Sequence, residues 1–190
     1  MPIKCFIFDL DGTLVFNDKA NFLAYQEAFD SVGLSLDEKE FLAHFATGGS
    51  VEEFYKEHTS KHKIVHDPQQ LTEIKAHKTK GYADHFHLIE QNQATIGLLR
   101  ALSQHYHTAL ATTASKKNAL PLLDHFKLTK LFHYMVFGED VTNKKPNPEC
   151  HQKIAKHFGV TPEECLVFED SSKGFAAAEA FGAHICKVVQ

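Results

Sequence analysis

Four short stretches of this chain carry the side chains best suited to chemistry: Asp9 and Asp11, Thr112 and Thr113, Lys144 and Lys145, and Glu169 and Asp170. Three or four carboxylates gathered at one place repel one another, so a stable site there must hold a cation or raise their pKa values. Ligation by oxygen alone favours Mg²⁺, which prefers octahedral geometry and keeps several waters. A lysine and a threonine hydroxyl nearby supply donors for an anion, and the combination suits a phosphate group. A carboxylate can also attack phosphorus directly and form an acyl-phosphate. A second carboxylate can protonate the leaving oxygen and then deprotonate the water that cleaves the intermediate. Asp9 and Asp11 are two residues apart, and Gly12 lets the chain bend tightly beyond them.

These groups act together only if the chain brings them to one edge, and the hydropathy pattern provides for that. Ile3 to Leu10 is mostly apolar and suits a strand buried on both faces. Tyr106 to Thr112, Tyr134 to Phe137, Leu166 to Phe168 and Ala183 to Val188 read as further strands. Between them lie helical patterns marked by Ile96, Leu98, Leu99 and Leu102, by Leu120 to Phe126, by Ile154, Ala155 and Phe158, and by Phe175 to Phe181. The third of these is expected to start with Asn147 as cap and Pro148 at its first position. Such alternation implies an α/β fold with a doubly wound, mostly parallel sheet and a Rossmann-like core. In open parallel sheets, ligands bind at the carboxyl ends of the strands. There the first strand offers Asp9 and Asp11, the second Thr112-Thr113 and the fourth Glu169-Asp170, while Lys144 and Lys145 follow the third. From about Val15 to His87 the pattern is helical instead, with breaks at Gly33 and Gly48-Gly49. The expected organisation is a core of residues 1–14 and 88–190 interrupted by a helical cap of residues 15–87.

Composition narrows the function further. Hydrophobic residues make up 43% and charged residues 23%, which disfavours both disorder and a membrane span. Met1-Pro2-Ile3-Lys4 runs straight into the first strand without a signal-peptide layout, and a cytoplasmic protein is expected. The formal charge of −4 comes with no block of like charge, so neither nucleic acid nor membrane is an expected partner. Arg100 stands alone against 19 lysines, which excludes clustered arginine forks as the means of gripping phosphate. Cys5, Cys150, Cys165 and Cys186 form no CxxC pair and read as buried free thiols.

Asp9-Leu10-Asp11-Gly12-Thr13-Leu14 resembles the DxDGT signature of the haloacid dehalogenase-like hydrolase superfamily. Ala109 to Thr113, Lys145-Pro146-Asn147-Pro148 and Phe168-Glu169-Asp170-Ser171 resemble the remaining motifs in order, and Lys173 to Ala178 continues the match. The place of the helical insertion resembles the subgroup containing phosphoglycolate phosphatase-like and β-phosphoglucomutase-like proteins. The resemblance implies a Mg²⁺-dependent phosphatase acting on a small phosphorylated metabolite, with Asp9 as nucleophile and Asp11 as general acid/base. It further implies Mg²⁺ held by Asp9, the Asp11 backbone carbonyl and Asp170, with Glu169 as a direct or outer partner. Thr112 and the Thr113 N–H would bind phosphoryl oxygens, Lys145 would neutralise charge on Asp9 and phosphate, and Gly48, Gly49 and Ser50 would contact substrate. A monomer or weak dimer is expected. Mutase-like relatives carry an arginine shortly after the glycine turn, whereas here Val51 follows Ser50.

Plainer readings stand beside these. Asp9 and Asp11 could serve a turn, Asp170 or Ser171 a helix cap, and Thr112 a strand end, and Lys144 competes with Lys145. A phosphomutase is the alternative activity, and a non-catalytic phosphate-binding protein the alternative of another class. His58, His62 and His66 could align on one helix face, and His85 with His87 on a strand face, but no carboxylate or cysteine completes a zinc set. The histidines are therefore read as solvated.

Overall fold

The computed structural model describes residues 2–189, so Met1, at the head of the amino-terminal stretch, and Gln190 lie outside the described residues. In chain order the elements begin with β1 (Cys5–Phe8), β2 (Val15–Phe16), α1 (Asp18–Asp30), α2 (Glu38–Phe45), α3 (Val51–Lys61) and α4 (Pro68–Gly81). They continue with β3 (Glu90–Gln91), α5 (Gln93–Leu102), β4 (His107–Ala111), α6 (Lys116–His125), β5 (Tyr134–Val136), α7 (Glu149–Phe158), β6 (Cys165–Glu169), α8 (Ser172–Phe181) and β7 (His184–Lys187). Two units result, one from the chain up to Phe16 together with everything from Glu90 on, the other Asn17–Ile89.

The first unit is a five-stranded sheet in the order β5-β4-β1-β6-β7, with every neighbouring pair parallel. Helices cover both sides, as the strand–helix alternation requires. On one face Cys5, Ile7, Ala109, Ala111, Cys165 and Val167 pack with Cys150, Ile154 and Ala155 of α7 and Ala178 and Phe181 of α8. Phe8, Leu110 and Phe168, on the other face, are also buried, and Phe8 stacks on Phe168 with ring centroids 4.5 Å apart. Register sets the functional edge: Phe8 lies opposite both Leu110 and Phe168. Asp9 and Glu169 directly follow Phe8 and Phe168, and Thr112 comes two residues after Leu110, so all three emerge at the same end of the sheet.

Some boundaries differ from the sequence reading. The helix expected to start at Pro148 starts at Glu149, with Pro148 as its cap, while Asn147 Oδ1 accepts a hydrogen bond from the Glu149 N–H at 3.0 Å. Val15 and Phe16 are not part of the helical insertion. They pair antiparallel with Gln91 and Glu90 in a short ribbon, which moves the joins between units to 16/17 and 89/90. Two-residue strands carry too little periodicity to be read from hydropathy.

The second unit is helical, built on Phe22, Tyr25, Phe29, Phe41, Phe54, Tyr55 and Ile74. Its helix starts carry their own signals. The Asp37 carboxylate accepts from the Glu40 N–H, Ser50 and Glu53 form a capping box, and Asp67 accepts from the Gln69 N–H behind Pro68. The reading of the histidines as solvated fails at His58, which is 6% exposed and packs edge-on against Phe29. It fails also at His151, fully buried on α7. The aligned triplet is broken because α3 ends at Lys61 and Lys63 takes a left-handed φ of 54°, leaving His66 beyond the helix. His85 and His87 lie in a 3₁₀ helix, Tyr82–Leu88, not a strand.

Candidate active site

Asp9 directly follows β1, and its N–H donates to the Phe168 carbonyl at 3.0 Å, which extends the β1–β6 ladder to the sheet edge. Lys145, in the loop before α7, reaches that edge. Its Nζ donates to Asp9 Oδ1 at 2.7 Å and to Glu169 Oε2 at 2.6 Å. All three side chains are buried, Lys145 to 4% exposure and Glu169 to 1%. Lys144 is exposed, so burial decides between the two lysines.

Glu169 closes β6 and is held from both oxygens. While Oε2 takes the Lys145 ammonium, Oε1 accepts from Ser171 Oγ at 2.9 Å, the Ser171 N–H at 3.1 Å and the Asp170 N–H at 3.2 Å. Three donors share Oε1, while Oε2 takes the ammonium and keeps a lone pair. The carboxylate needs room: a Cβ on Gly174 would lie 1.9 Å from its Cδ, so only glycine fits at that helix position. Asp170 is half-buried and accepts from Thr13 Oγ1 at 2.9 Å. Gly12 passes close by with φ +78°, and a Cβ there would sit 1.9 Å from Asp170 Oδ2. The glycine thus serves both the turn and the approach of the two acidic segments. Ser171, not Asp170, caps α8 by accepting from the Gly174 N–H at 3.1 Å.

Thr112, after β4, is buried, and its Oγ1 accepts from the Ala114 N–H at 3.0 Å, which leaves the hydroxyl proton available for donation. Thr113 is half-buried beside it, and Asp11 is half-buried in the turn after β1. Gly48, Gly49 and Ser50 belong to the helical unit, in the turn between α2 and α3. The Ser50 hydroxyl is engaged with Glu53, accepting from its N–H and donating to its Oε2. Sequence reasoning assigned no role to Thr13 or Gly174 and offered Ser171 only as a possible helix cap. Thr13 and Gly174 stood inside recognised motifs, but their contacts depend on the three-dimensional approach of β1 and β6.

Charge is concentrated here. Burial pushes the Asp9 carboxyl well above the ordinary range, and the Glu169 charge adds to this while Lys145 opposes it. Burial likewise raises Asp170, to about 6, against the hydrogen bond from Thr13. Burial alone would raise Glu169 too, but the Lys145 charge and the hydrogen bonds it accepts bring it below its ordinary value. Lys145 is desolvated, yet the two carboxylates hold it firmly protonated. Among the described residues, Asp9, Glu169 and Asp170 form a group of three whose ligand atoms all lie within 4.8 Å of one another. An all-oxygen set with two carboxyls pushed upward fits a hard divalent cation.

An open parallel α/β sheet with an acidic edge, a buried lysine and a threonine defines a phosphate-handling enzyme of the doubly wound class. The chain belongs to the haloacid dehalogenase-like hydrolase family, whose model matches residues 6–188. It is similar to a phosphorylated carbohydrates phosphatase from Thermotoga maritima, 30% identical over 95% of this chain and 82% of that protein. A phosphoglycolate phosphatase from Aliivibrio fischeri is 28% identical over 96% of this chain and 82% of its own length. Among solved structures, a putative beta-phosphoglucomutase from Thermotoga maritima superposes with a TM-score of 0.75 at 30% identity, covering 99% of this chain and 86% of the other. Family and relatives together support a phosphoric monoester hydrolase. Among the described residues, no helix is long and apolar enough to cross a membrane.

Proposed function

We propose that the chain hydrolyses a small phosphorylated metabolite, a sugar phosphate or a similar phosphorylated acid, through a phosphoryl group carried on Asp9. The observation that carries this reading is the buried Asp9–Lys145–Glu169 cluster, with Asp170 beside it, at the carboxyl ends of the strands. Asp9 attacks phosphorus, a new P–O bond forms to its carboxylate, and the bond to the ester oxygen breaks. Asp11 gives its proton to the departing oxygen, then takes one from the water that attacks the acyl-phosphate, releasing inorganic phosphate and restoring Asp9. Lys145 orients Asp9 and offsets its charge, and Thr112 donates to a phosphoryl oxygen. Mg²⁺ held by Asp9, Asp170 and the Asp11 carbonyl would supply positive charge between nucleophile and phosphate. Glu169 holds Lys145 through Oε2 and stands as a direct or outer partner of that ion. Substrate choice falls to the helical unit and its Gly48-Gly49-Ser50 turn, in which Ser50 is engaged as the cap of α3.

The test is phosphate release from p-nitrophenyl phosphate and from a panel of phosphorylated sugars and phosphoglycolate, with Mg²⁺ and with chelator. Wild type should turn over only with the ion, and Asp9→Asn should be inactive yet folded by circular dichroism. Substantial turnover by a clean preparation of Asp9→Asn would sink the nucleophile assignment. Isomerisation of a sugar phosphate without net phosphate release would favour the mutase alternative.

A further inference from the structure

The segment after β4, residues 112–115, is held in place from outside itself. The Thr112 N–H donates to the Val136 carbonyl at 3.1 Å, which carries the β4–β5 ladder one residue past β4. The Ala114 N–H donates to Thr112 Oγ1 at 3.0 Å, and the Ala114 carbonyl accepts from the Gly138 N–H at 2.9 Å. The Thr113 N–H lies between these two fixed groups. Gly138 approaches so closely that a Cβ there would sit 2.3 Å from the Thr113 carbonyl oxygen and 3.3 Å from that of Ala114. Both obstacles are backbone, so a larger residue would have to push the segment away from β5.

Glu139 continues this support. Both of its carboxylate oxygens accept from the Lys116 N–H, each at 3.0 Å, and Lys116 is the first residue of α6. Ser115, the residue before α6, makes no side-chain cap bond, so the cap comes from 23 residues further along the chain. A carboxylate at this end satisfies an orphan N–H and suits the helix dipole. The turn that presents it is closed on itself: the Phe137 N–H donates to Asp140 Oδ2 at 2.9 Å, and the Asp140 N–H to the Phe137 carbonyl at 3.0 Å.

We infer that Gly138 and Glu139 are positioning residues for phosphoryl binding, fixing the Thr112 hydroxyl and the Thr113 N–H from the turn after β5. This role rests on the phosphoryl transfer proposed for the sheet edge. Gly138 sets the distance between β5 and residues 113–114, and Glu139 anchors the first turn of α6 behind them. Preorganised donors bind a phosphoryl group only when their geometry is held before it arrives.

Initial rates with p-nitrophenyl phosphate and Mg²⁺, with inorganic phosphate as product inhibitor, test it in the full chain. Glu139 is exposed, so its variants keep the fold and carry the test whatever Gly138→Ala does to folding. Glu139→Ala should raise KM and the phosphate inhibition constant together by about two- to tenfold, the worth of a lost helix cap. Glu139→Gln, which keeps one acceptor oxygen, should fall between it and wild type. Gly138→Ala should raise both constants at least about tenfold, because it displaces the donors themselves. The half-saturating Mg²⁺ concentration should stay at the wild-type value, since Asp9 and Asp170 follow β1 and β6; a general loosening of the fold would move it too. Gly97→Ala, whose added methyl meets nothing within 4 Å, should match wild type. A wild type that turns over, with an unchanged phosphate inhibition constant in the variants at both positions, would overturn the positioning role and leave the phosphatase reading intact. Equal shifts in phosphate and Mg²⁺ constants would do the same. A wild type that neither releases phosphate nor is inhibited by it would overturn both.

Discussion

Replacing Lys145 with methionine keeps most of the side-chain volume and removes the charge that two buried carboxylates share. In the wild type its Nζ is 2.7 Å from Asp9 and 2.6 Å from Glu169, and little water reaches any of the three. Removing one partner of a buried ion pair costs about 3–5 kcal/mol, because an uncompensated charge stays behind. The repulsion newly unopposed between two carboxylates with oxygens within 4.8 Å of one another is of similar size, about 3–4 kcal/mol at an effective dielectric constant of about 20. The protein can escape part of this cost by protonating Asp9, whose folded pKa is already raised by burial and by Glu169. A carboxyl with a folded pKa above its unfolded value favours the folded state at low pH and loses that contribution as pH rises between the two values. The variant extends that window upward. Its deficit relative to wild type should therefore be small near pH 5 and reach the full about 3–5 kcal/mol near pH 8. For a chain of this size each kcal/mol moves the midpoint by about 2–4 °C, so the loss at pH 8 is roughly 6–20 °C. Thermal melts of both proteins at pH 5 to 8 with chelator present measure it, and millimolar Mg²⁺ should restore part of the loss by mass action. A variant melting within about 2 °C of wild type at pH 8, or with the same deficit at pH 5, would refute the view of Lys145 as the counter-charge of this cluster.

Asp11→Asn should slow turnover of an alkyl phosphate far more than the first step with an activated aryl phosphate, because only the poor leaving group needs the proton; equal losses in a two-substrate assay would contradict the general-acid role. Gly174→Ala would drive a methyl group into Glu169, 1.9 Å from its Cδ. Activity should fall at least about tenfold by displacement of the residue that positions Lys145, and a kinetic comparison with Gly97→Ala, whose added methyl meets nothing within 4 Å, separates this from a general helix effect. Protonation of Asp170, raised by burial to about 6, competes with the cation; apparent Mg²⁺ affinity should weaken as pH falls below about 6, and a flat calorimetric profile from pH 5 to 8 would remove Asp170 from the ligand set.

The chemistry of the site was legible in local patterns. The spacing of Asp9 and Asp11 before Gly12, the acidic pair Glu169-Asp170 after an apolar strand and Thr112 at another strand's end are short-range features. They were enough to indicate a phosphate-handling sheet edge, because strand period and turn chemistry are set by neighbouring residues. The helical insertion was visible for the same reason, through its apolar periodicity and through caps such as Asp37, Ser50 and Asp67. What local patterns could not contain is which partner each group finds. The Lys145-Pro146 pairing favoured Lys145 over Lys144, and its burial against Asp9, 136 residues away, is what the structure adds. The ammonium that Glu169 accepts comes from Lys145, 24 residues away, and was not visible in the acidic segment itself. His58 looked solvated because its burial comes from Phe29 on another helix. The ribbon of Val15-Phe16 with Glu90-Gln91 was invisible, since it pairs residues on either side of the insertion. Parallel register and helix packing bring distant residues to contact distance, and that proximity selects the charge partners, the depth of burial and the shifted pKa values on which the chemistry depends.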